Sequence, residues 1–149
     1  MLGELVAGAS SGLAKALLQT SLPHELSSLV IFDGDGAVIL GTTTLPKSTA
    51  FDLIALFNGR EEAMTKGIDF EDDHINVHRF HPESGLICGR TGNSESGKGV
   101  CLYRYKASDD SAPLYAIFAY SFPTISARAI SLFLDFSNAS LSKQDIVSV

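Results

Sequence analysis

Residues 86 to 121 read LICGRTGNSESGKGVCLYRYKASDDSAPLYAIFAYS, and three apolar runs lie within them. The runs, at residues 86 to 90, 100 to 106 and 114 to 121, are separated by turn-forming residues, which is typical of strands. The connections are short, whereas parallel neighbours need a crossover of a dozen residues or more. The segment therefore predicts an antiparallel meander.

Helical and strand-like patterns precede and follow this meander. Apolar residues recur at steps of three and four in residues 2 to 18 and again in residues 125 to 136, which predicts a first and a last helix. The stretch between them predicts a hairpin at 29 to 40, helices at 47 to 58 and 60 to 65, and further strands from residue 67. The order predicts an α+β fold whose terminal helices cover one face of the sheet.

Composition indicates one compact domain. The chain has 149 residues, 45% of them hydrophobic, and a formal charge of −6. This balance excludes general disorder and disfavours a protein that tracks nucleic acid. We expect a single domain over residues 1 to 137, with a frayed tail at 138 to 149. No apolar stretch reaches the roughly 18 residues of a membrane span, and no secretory signal is recognisable, so we expect a cytoplasmic protein.

Motifs for catalysis, metal or nucleotide binding are weak. The run from Gly92 to Gly99 resembles a phosphate-binding loop, but Gly99 replaces the required Ser or Thr and a strand follows instead of a helix. His74, His78 and His81 raise the question of zinc. On a strand, however, His74 and His78 would share one face and His81 the other. We expect no enzyme activity, no metal and no cofactor.

Cys88 and Cys101 occupy neighbouring predicted strands. If the intervening turn is centred near residue 94 or 95, the two cysteines lie opposite each other. Such neighbours can oxidise in vitro, but in a reducing compartment buried free thiols are expected.

Charge is unevenly distributed along this acidic chain. Residues 60 to 73 carry six acidic residues against two basic ones, whereas residues 85 to 106 carry four basic residues against one acidic residue. The basic hairpin is either an ordinary solvated surface or a patch that attracts an acidic protein or a phosphoinositide headgroup.

The order of elements resembles that of the profilins, which bind monomeric actin. Local similarities are the Gly-Ile-x-Phe strand start ending at Phe70, the hairpin from Ile87 to Tyr103, and the strand at 114 to 120 that leads into the last helix. The resemblance implies a central antiparallel meander with the N- and C-terminal helices on one face and short helices on the other.

The resemblance also implies a function. The protein would bind the actin monomer, regulate polymerisation and cytoskeleton dynamics, and act as a cytoplasmic, cytoskeleton-associated monomer. Profilins contact actin through the strands after the mid-chain helices and through the start of the last helix. The corresponding polar and basic residues are Arg79, Arg90, Lys98, Ser126, Arg128 and Lys66.

Two further partners are expected: the resemblance implies proline-rich proteins, and the basic hairpin favours phosphoinositides. The chain has no Trp, and its predicted first helix has no aromatic residue, so a polyproline groove would depend on Tyr120, Phe133 and Phe136. A different class of protein fits the pattern as well. Roadblock and longin domains share an apolar first helix and a D-G-x hairpin, and they act as dimeric scaffolds or small-GTPase regulators.

Overall fold

A computed structural model describes residues 2, 11 to 91, 97 to 106, 108 to 121 and 123 to 141. Within these residues the chain forms a curled, seven-stranded antiparallel sheet and five α-helices. The predicted α+β class and the antiparallel strand directions are confirmed. No helix in the described ranges has the length and apolarity needed to cross a bilayer.

The helices lie before, within and after the strand sequence. They are α1 (Ser11–Leu18), α2 (Leu22–Glu25), α3 (Lys47–Ala55), α4 (Arg60–Lys66) and α5 (Ser126–Phe136). Short 3₁₀ turns follow α3 at Leu56–Asn58 and interrupt the strands at Pro82–Ser84. A π-helical turn, Ser137–Leu141, continues α5, and its last residue Leu141 is buried. Residues 3 to 10 and 142 to 149 lie outside the described residues, so the predicted start of the first helix and the predicted tail remain predictions there.

The strands are β1 (Ser28–Asp33), β2 (Val38–Gly41), β3 (Ile68–Phe70), β4 (Asp73–His81), β5 (Leu86–Arg90), β6 (Lys98–Tyr105) and β7 (Leu114–Ser121). Strands β3 to β7 form the predicted meander. The spatial order is β2-β1-β7-β6-β5-β4-β3, so the first hairpin pairs with the last strand through β1 and β7. A simple meander over all seven strands is therefore not what forms. Strand β1 is apolar on both faces, which is why it lies inside the sheet rather than at its edge.

Successive side chains of each strand point to opposite faces of the sheet. Apolar side chains lie on both faces, so the molecule has two cores. On β7, Phe118 and Tyr120 belong to a first core that contains Leu13 and Leu17 of α1 and Phe133 of α5. The intervening residues of β7 belong to a second core with residues of α3 and α4, namely Ala50, Leu53 and Ala63. We call the two sides of the sheet the first-core face and the second-core face.

A β-bulge interrupts β4. Val77 pairs with Gly89 and Arg79 with Cys88, so His78 is the extra residue. Bulges bend a strand and change which face the following residues occupy. The tip of the β3–β4 hairpin lies over the second-core face, where Glu71 Oε1 accepts a 2.6 Å hydrogen bond from Ser28 Oγ of β1.

Candidate functional site

A cleft of about 100 Å³ lies on the first-core face, where β4, β5 and the start of α5 meet. It brings together residues that are far apart in the chain and mixes cationic, hydroxyl and thiol groups. Its lining residues are His78, Arg79, Cys88, Gly89, Arg90, Tyr120 and Ser126. Three of the residues named from the profilin resemblance, Arg79, Arg90 and Ser126, therefore lie at one small site.

The β4 bulge and Gly89 set the arginine side of the cleft. The bulge pairs Arg79 with Cys88, which places both on the first-core face. Gly89 allows β4 and β5 to approach closely, because a Cβ atom at residue 89 would overlap the backbone oxygen of Asn76. Arg90 ends β5 and pairs with Gly99, so it lies on the same face as Cys88.

Tyr120 forms the floor of the cleft. Its ring packs directly on Gly99, and a Cβ atom at residue 99 would overlap that ring. Tyr120 is only 2% exposed, and burial raises the pKa of its phenol above the ordinary tyrosine range. Ser126 and Cys101 both hydrogen-bond to the Tyr120 hydroxyl, so the first residue of α5 is linked to β6 through this side chain.

The two cysteines lie beside Tyr120 as directly opposed residues. Cys88 pairs with Cys101 across β5 and β6, which confirms the predicted register. Both are free, buried thiols with their Sγ atoms 2.9 Å apart. The hydrogen bond with Cys101 lowers the pKa of Cys88, while the hydrogen bond with Cys88 and burial raise the pKa of Cys101.

The basic residues of the β5–β6 hairpin divide into two groups. Arg79 and Arg90 make no salt bridge within the described ranges, and both border the cleft. Lys98 begins β6 on the second-core face, where its Nζ lies 3.0 Å from Asp73 Oδ2 and 3.5 Å from Glu71 Oε1. Arg104 lies on that face as well, with its guanidinium 4.8 Å from the Phe57 ring centroid. The hairpin is thus less basic on its surface than its sequence indicates.

Arg128 and Lys66 are also paired within the chain. Arg128 Nε lies 3.0 Å from Glu25 Oε1, which joins α5 to α2. Hydrogen bonds from Thr124 and Arg128 lower the pKa of Glu25. Lys66 Nζ lies 2.8 Å from Glu62 Oε1, one helical turn earlier in α4. The structure does not bring Lys66, Lys98 or Arg128 into the lining of the cleft.

The three aromatic residues named for a polyproline groove pack in the first core. Phe133 and Phe136 are 1% and 3% exposed, and Tyr120 is 2% exposed. Phe133 stacks on Phe118 with ring centroids 4.7 Å apart, and Phe136 packs against it. Their rings therefore offer no open face in this structure for a proline-rich ligand.

The histidines and the acidic residues form no metal cluster in the part of the chain described. His74 Nδ1 lies 2.7 Å from Asp69 Oδ1. The prediction that His81 lies on the face opposite His74 is wrong because of the bulge. Ile75 and Phe80 pack in the same core, so their neighbours His74 and His81 lie together on the other face of β4.

A larger cavity of about 530 Å³ borders the acidic β3–β4 hairpin. Strand β6 begins at Lys98, inside the run from Gly92 to Gly99 that resembles a phosphate-binding loop, and residues 92 to 96 of that run lie outside the described ranges.

Comparisons with known proteins identify no family for this chain. No protein-family model matches the chain, and no curated protein is similar to it in sequence.

The resemblance predicts Arg79, Arg90 and Ser126 as contact residues and Tyr120 as part of a polyproline groove, but it does not predict His78, Cys88 or Gly89 as lining residues of a shared cleft. The bulge that aligns Arg79 with Cys88 leaves no clear mark in a strand of mixed polar residues. Gly89 and Gly99, each in the interior of a strand, were an available signal, because glycine there often marks a close approach of another group.

Proposed function

We propose that the protein is a profilin-like regulator that binds monomeric actin and catalyses no reaction. The observation that carries the proposal is the convergence of Arg79, Arg90 and Ser126 at one cleft. Arginine side chains without an intramolecular acidic partner are suited to bidentate contacts with carboxylates, and such charges accelerate encounter with an acidic surface.

The arrangement of helices supports the same proposal. The first core contains residues of the N-terminal and C-terminal helices, and the second core contains residues of the short helices in the middle of the chain. This distribution of helices is compatible with the profilin-like arrangement that the sequence resemblance implies. The proposed mechanism is steric, since a monomer that is covered on one face is hindered in nucleation while growth at one filament end continues.

The proposal places the protein in the cytoplasm, with the cytoskeleton, as a monomer. Phosphoinositides compete with actin in this proposal through the two cleft arginines, Arg79 and Arg90, which have no salt-bridge partner among the described residues. Proline-rich partners are not part of it, because the aromatic side chains they would need are buried. Both edge strands are short, four residues in β2 and three in β3, so the sheet has little free backbone for the extension through a dimer that roadblock modules use.

A polymerisation assay with pyrene-labelled actin tests the proposal. The protein, kept reduced and in several-fold excess over actin, should lengthen the nucleation lag. Light scattering coupled to gel filtration should give the mass of a monomer. An unchanged lag together with no binding by calorimetry contradicts actin binding, and a stable dimer with an unchanged lag favours the roadblock or longin class instead.

A further inference from the structure

We propose that Cys88 and Cys101 form an oxidation site at which a hydroperoxide that enters the cleft converts the two thiols into a reversible disulfide. The proposal concerns the thiols themselves and does not depend on actin binding. It rests on the pairing of the two strands, the access of Cys88 to the cleft, and the difference between the surroundings of the two sulfurs.

The strand pairing already brings the cysteines to disulfide-forming positions. Backbone hydrogen bonds join Thr91 to Lys98 and Arg104 to Gly85, which marks those pairs as the hydrogen-bonded positions of the β5–β6 ladder. Hydrogen-bonded and non-hydrogen-bonded pairs alternate along an antiparallel ladder. Because Cys88 is an odd number of residues from Thr91, Cys88 and Cys101 form a non-hydrogen-bonded pair. In such pairs the Cα atoms are about 4.5 Å apart, which lies within the range that a disulfide spans. A small side-chain movement from the 2.9 Å Sγ–Sγ contact therefore suffices.

Only one of the two sulfurs is accessible to a small oxidant. Cys88 is 5% exposed and lines the cleft, whereas Cys101 is fully buried beneath it. The cleft volume is about 100 Å³, and a water molecule occupies about 30 Å³ in the liquid. Hydrogen peroxide, with two heavy atoms, fits this space, whereas a tripeptide disulfide does not.

The hydrogen bonds around the pair favour Cys88 as the attacking thiol. Cys101 can donate to Cys88, which lowers the pKa of Cys88, and the charge of the nearby Arg79 acts in the same direction. The bond from Tyr120 lowers the pKa of Cys101, but the bond with Cys88 and burial have the larger effect and raise it. Because the thiolate is the reactive form, Cys88 is oxidised first and Cys101 resolves the product.

The reaction has two balanced steps. The Cys88 thiolate attacks the peroxide, an S–O bond forms as the O–O bond breaks, and the departing hydroxide takes up a proton to become water. The Cys101 sulfur then attacks the sulfenic sulfur of Cys88, the S–O bond breaks, and the hydroxyl leaves with the Cys101 proton as a second water molecule. In total the two thiols lose two electrons, and one molecule of hydrogen peroxide is reduced to two molecules of water. A dithiol reverses the reaction by exchange.

Mass spectrometry of the full-length protein tests this proposal. The reduced protein is treated with hydrogen peroxide, denatured, and alkylated. We expect loss of both alkylatable thiols, a peptide cross-link between residues 88 and 101, and full recovery after dithiothreitol. In Cys101→Ser, dimedone should label Cys88 as a sulfenic acid. In Cys88→Ser, Cys101 should remain alkylatable.

Three results would overturn the proposal. They are retention of both thiols in the wild-type protein under conditions that oxidise free cysteine, a disulfide only between two copies of the chain, and dimedone labelling of Cys101 in preference to Cys88. Cys88→Ala and Cys101→Ala provide the same readouts if a serine variant unfolds, since alanine leaves no polar group in the buried site. Thermal melting of each variant establishes that the native fold is present.

Discussion

Reversing the charge of the two cleft arginines should weaken actin binding without a comparable loss of stability. The variant is Arg79→Glu together with Arg90→Glu, and its matched control is Lys98→Glu. The three residues lie on the neighbouring strands β4, β5 and β6, but Lys98 lies on the opposite face and is paired with Asp73 and Glu71. The comparison therefore distinguishes an effect of the cleft arginines on actin binding from a general effect of basic charge on this part of the sheet.

The expected magnitude follows from the exposure and pairing of each residue. A partly exposed ion pair contributes about 0.2 to 1 kcal/mol, and charge reversal replaces that attraction with a repulsion of similar size. Two sites together then cost about 2 kcal/mol, or about 30-fold in Kd. Lys98→Glu places a third carboxylate beside Asp73 and Glu71, so it should lower the free energy of unfolding by about 1 to 2 kcal/mol and change Kd by less than about twofold.

Calorimetric titration of monomeric actin at several salt concentrations measures the binding effect, and urea unfolding measures the stability effect. The difference between wild type and the double arginine variant should shrink as salt rises, because exposed charges are screened beyond about 10 Å at 0.1 M ionic strength. If Lys98→Glu weakens binding as much as the arginine pair, or if the arginine pair leaves Kd unchanged at low salt, the cleft is not the contact surface.

Three further predictions concern the surroundings of the cleft. Phe133→Ala should lower the free energy of unfolding by about 3 to 5 kcal/mol in urea, because Phe133 is buried and stacked on Phe118, and a loss below about 1 kcal/mol would contradict this packing. Gly99→Ala should cost about 1 to 3 kcal/mol by displacing the Tyr120 ring, whereas Gly12→Ala, with open space around it in α1, should be neutral or stabilising by up to about 1 kcal/mol. Burial raises the pKa of Tyr120, Tyr103 and Tyr115, so the folded state holds these protons while the unfolded state releases them near pH 10. The free energy of unfolding should therefore fall as pH rises through 10 and above, and in Tyr120→Phe the fall should be shallower. Equal slopes for the two proteins in urea unfolding at each pH would exclude Tyr120 as a source.

Local patterns in the sequence were sufficient to predict most elements. Apolar runs bounded by turn residues located β5, β6 and β7, and an estimate of the hairpin turn placed Cys88 opposite Cys101. These features depend on neighbours in the chain or on a single hairpin, so propensity and spacing determine them.

The features that sequence could not reveal depend on contacts between distant segments. The pairing of β1 with β7 has no local signal, and the β4 bulge reverses the alternation after Val77. The basic excess of the hairpin suggested one cationic surface. The curled sheet instead brings Asp73 and Glu71 to Lys98, so only part of that charge faces the cleft. Charge counted along a segment ignores which face each residue occupies.

The pairing of β1 with β7 has a consequence for how the chain folds. Ser28 pairs with Ala119, so β1 acquires its second neighbour only after nearly the whole described chain is available. Until then the β1–β2 hairpin is a two-stranded ribbon, which is marginally stable in water. The meander from β3 to β7 contains only sequential pairings, whose loops close at lower entropic cost. During synthesis, therefore, the N-terminal hairpin emerges first but should be fixed in the native structure last, when β7 has left the ribosome and completes the sheet.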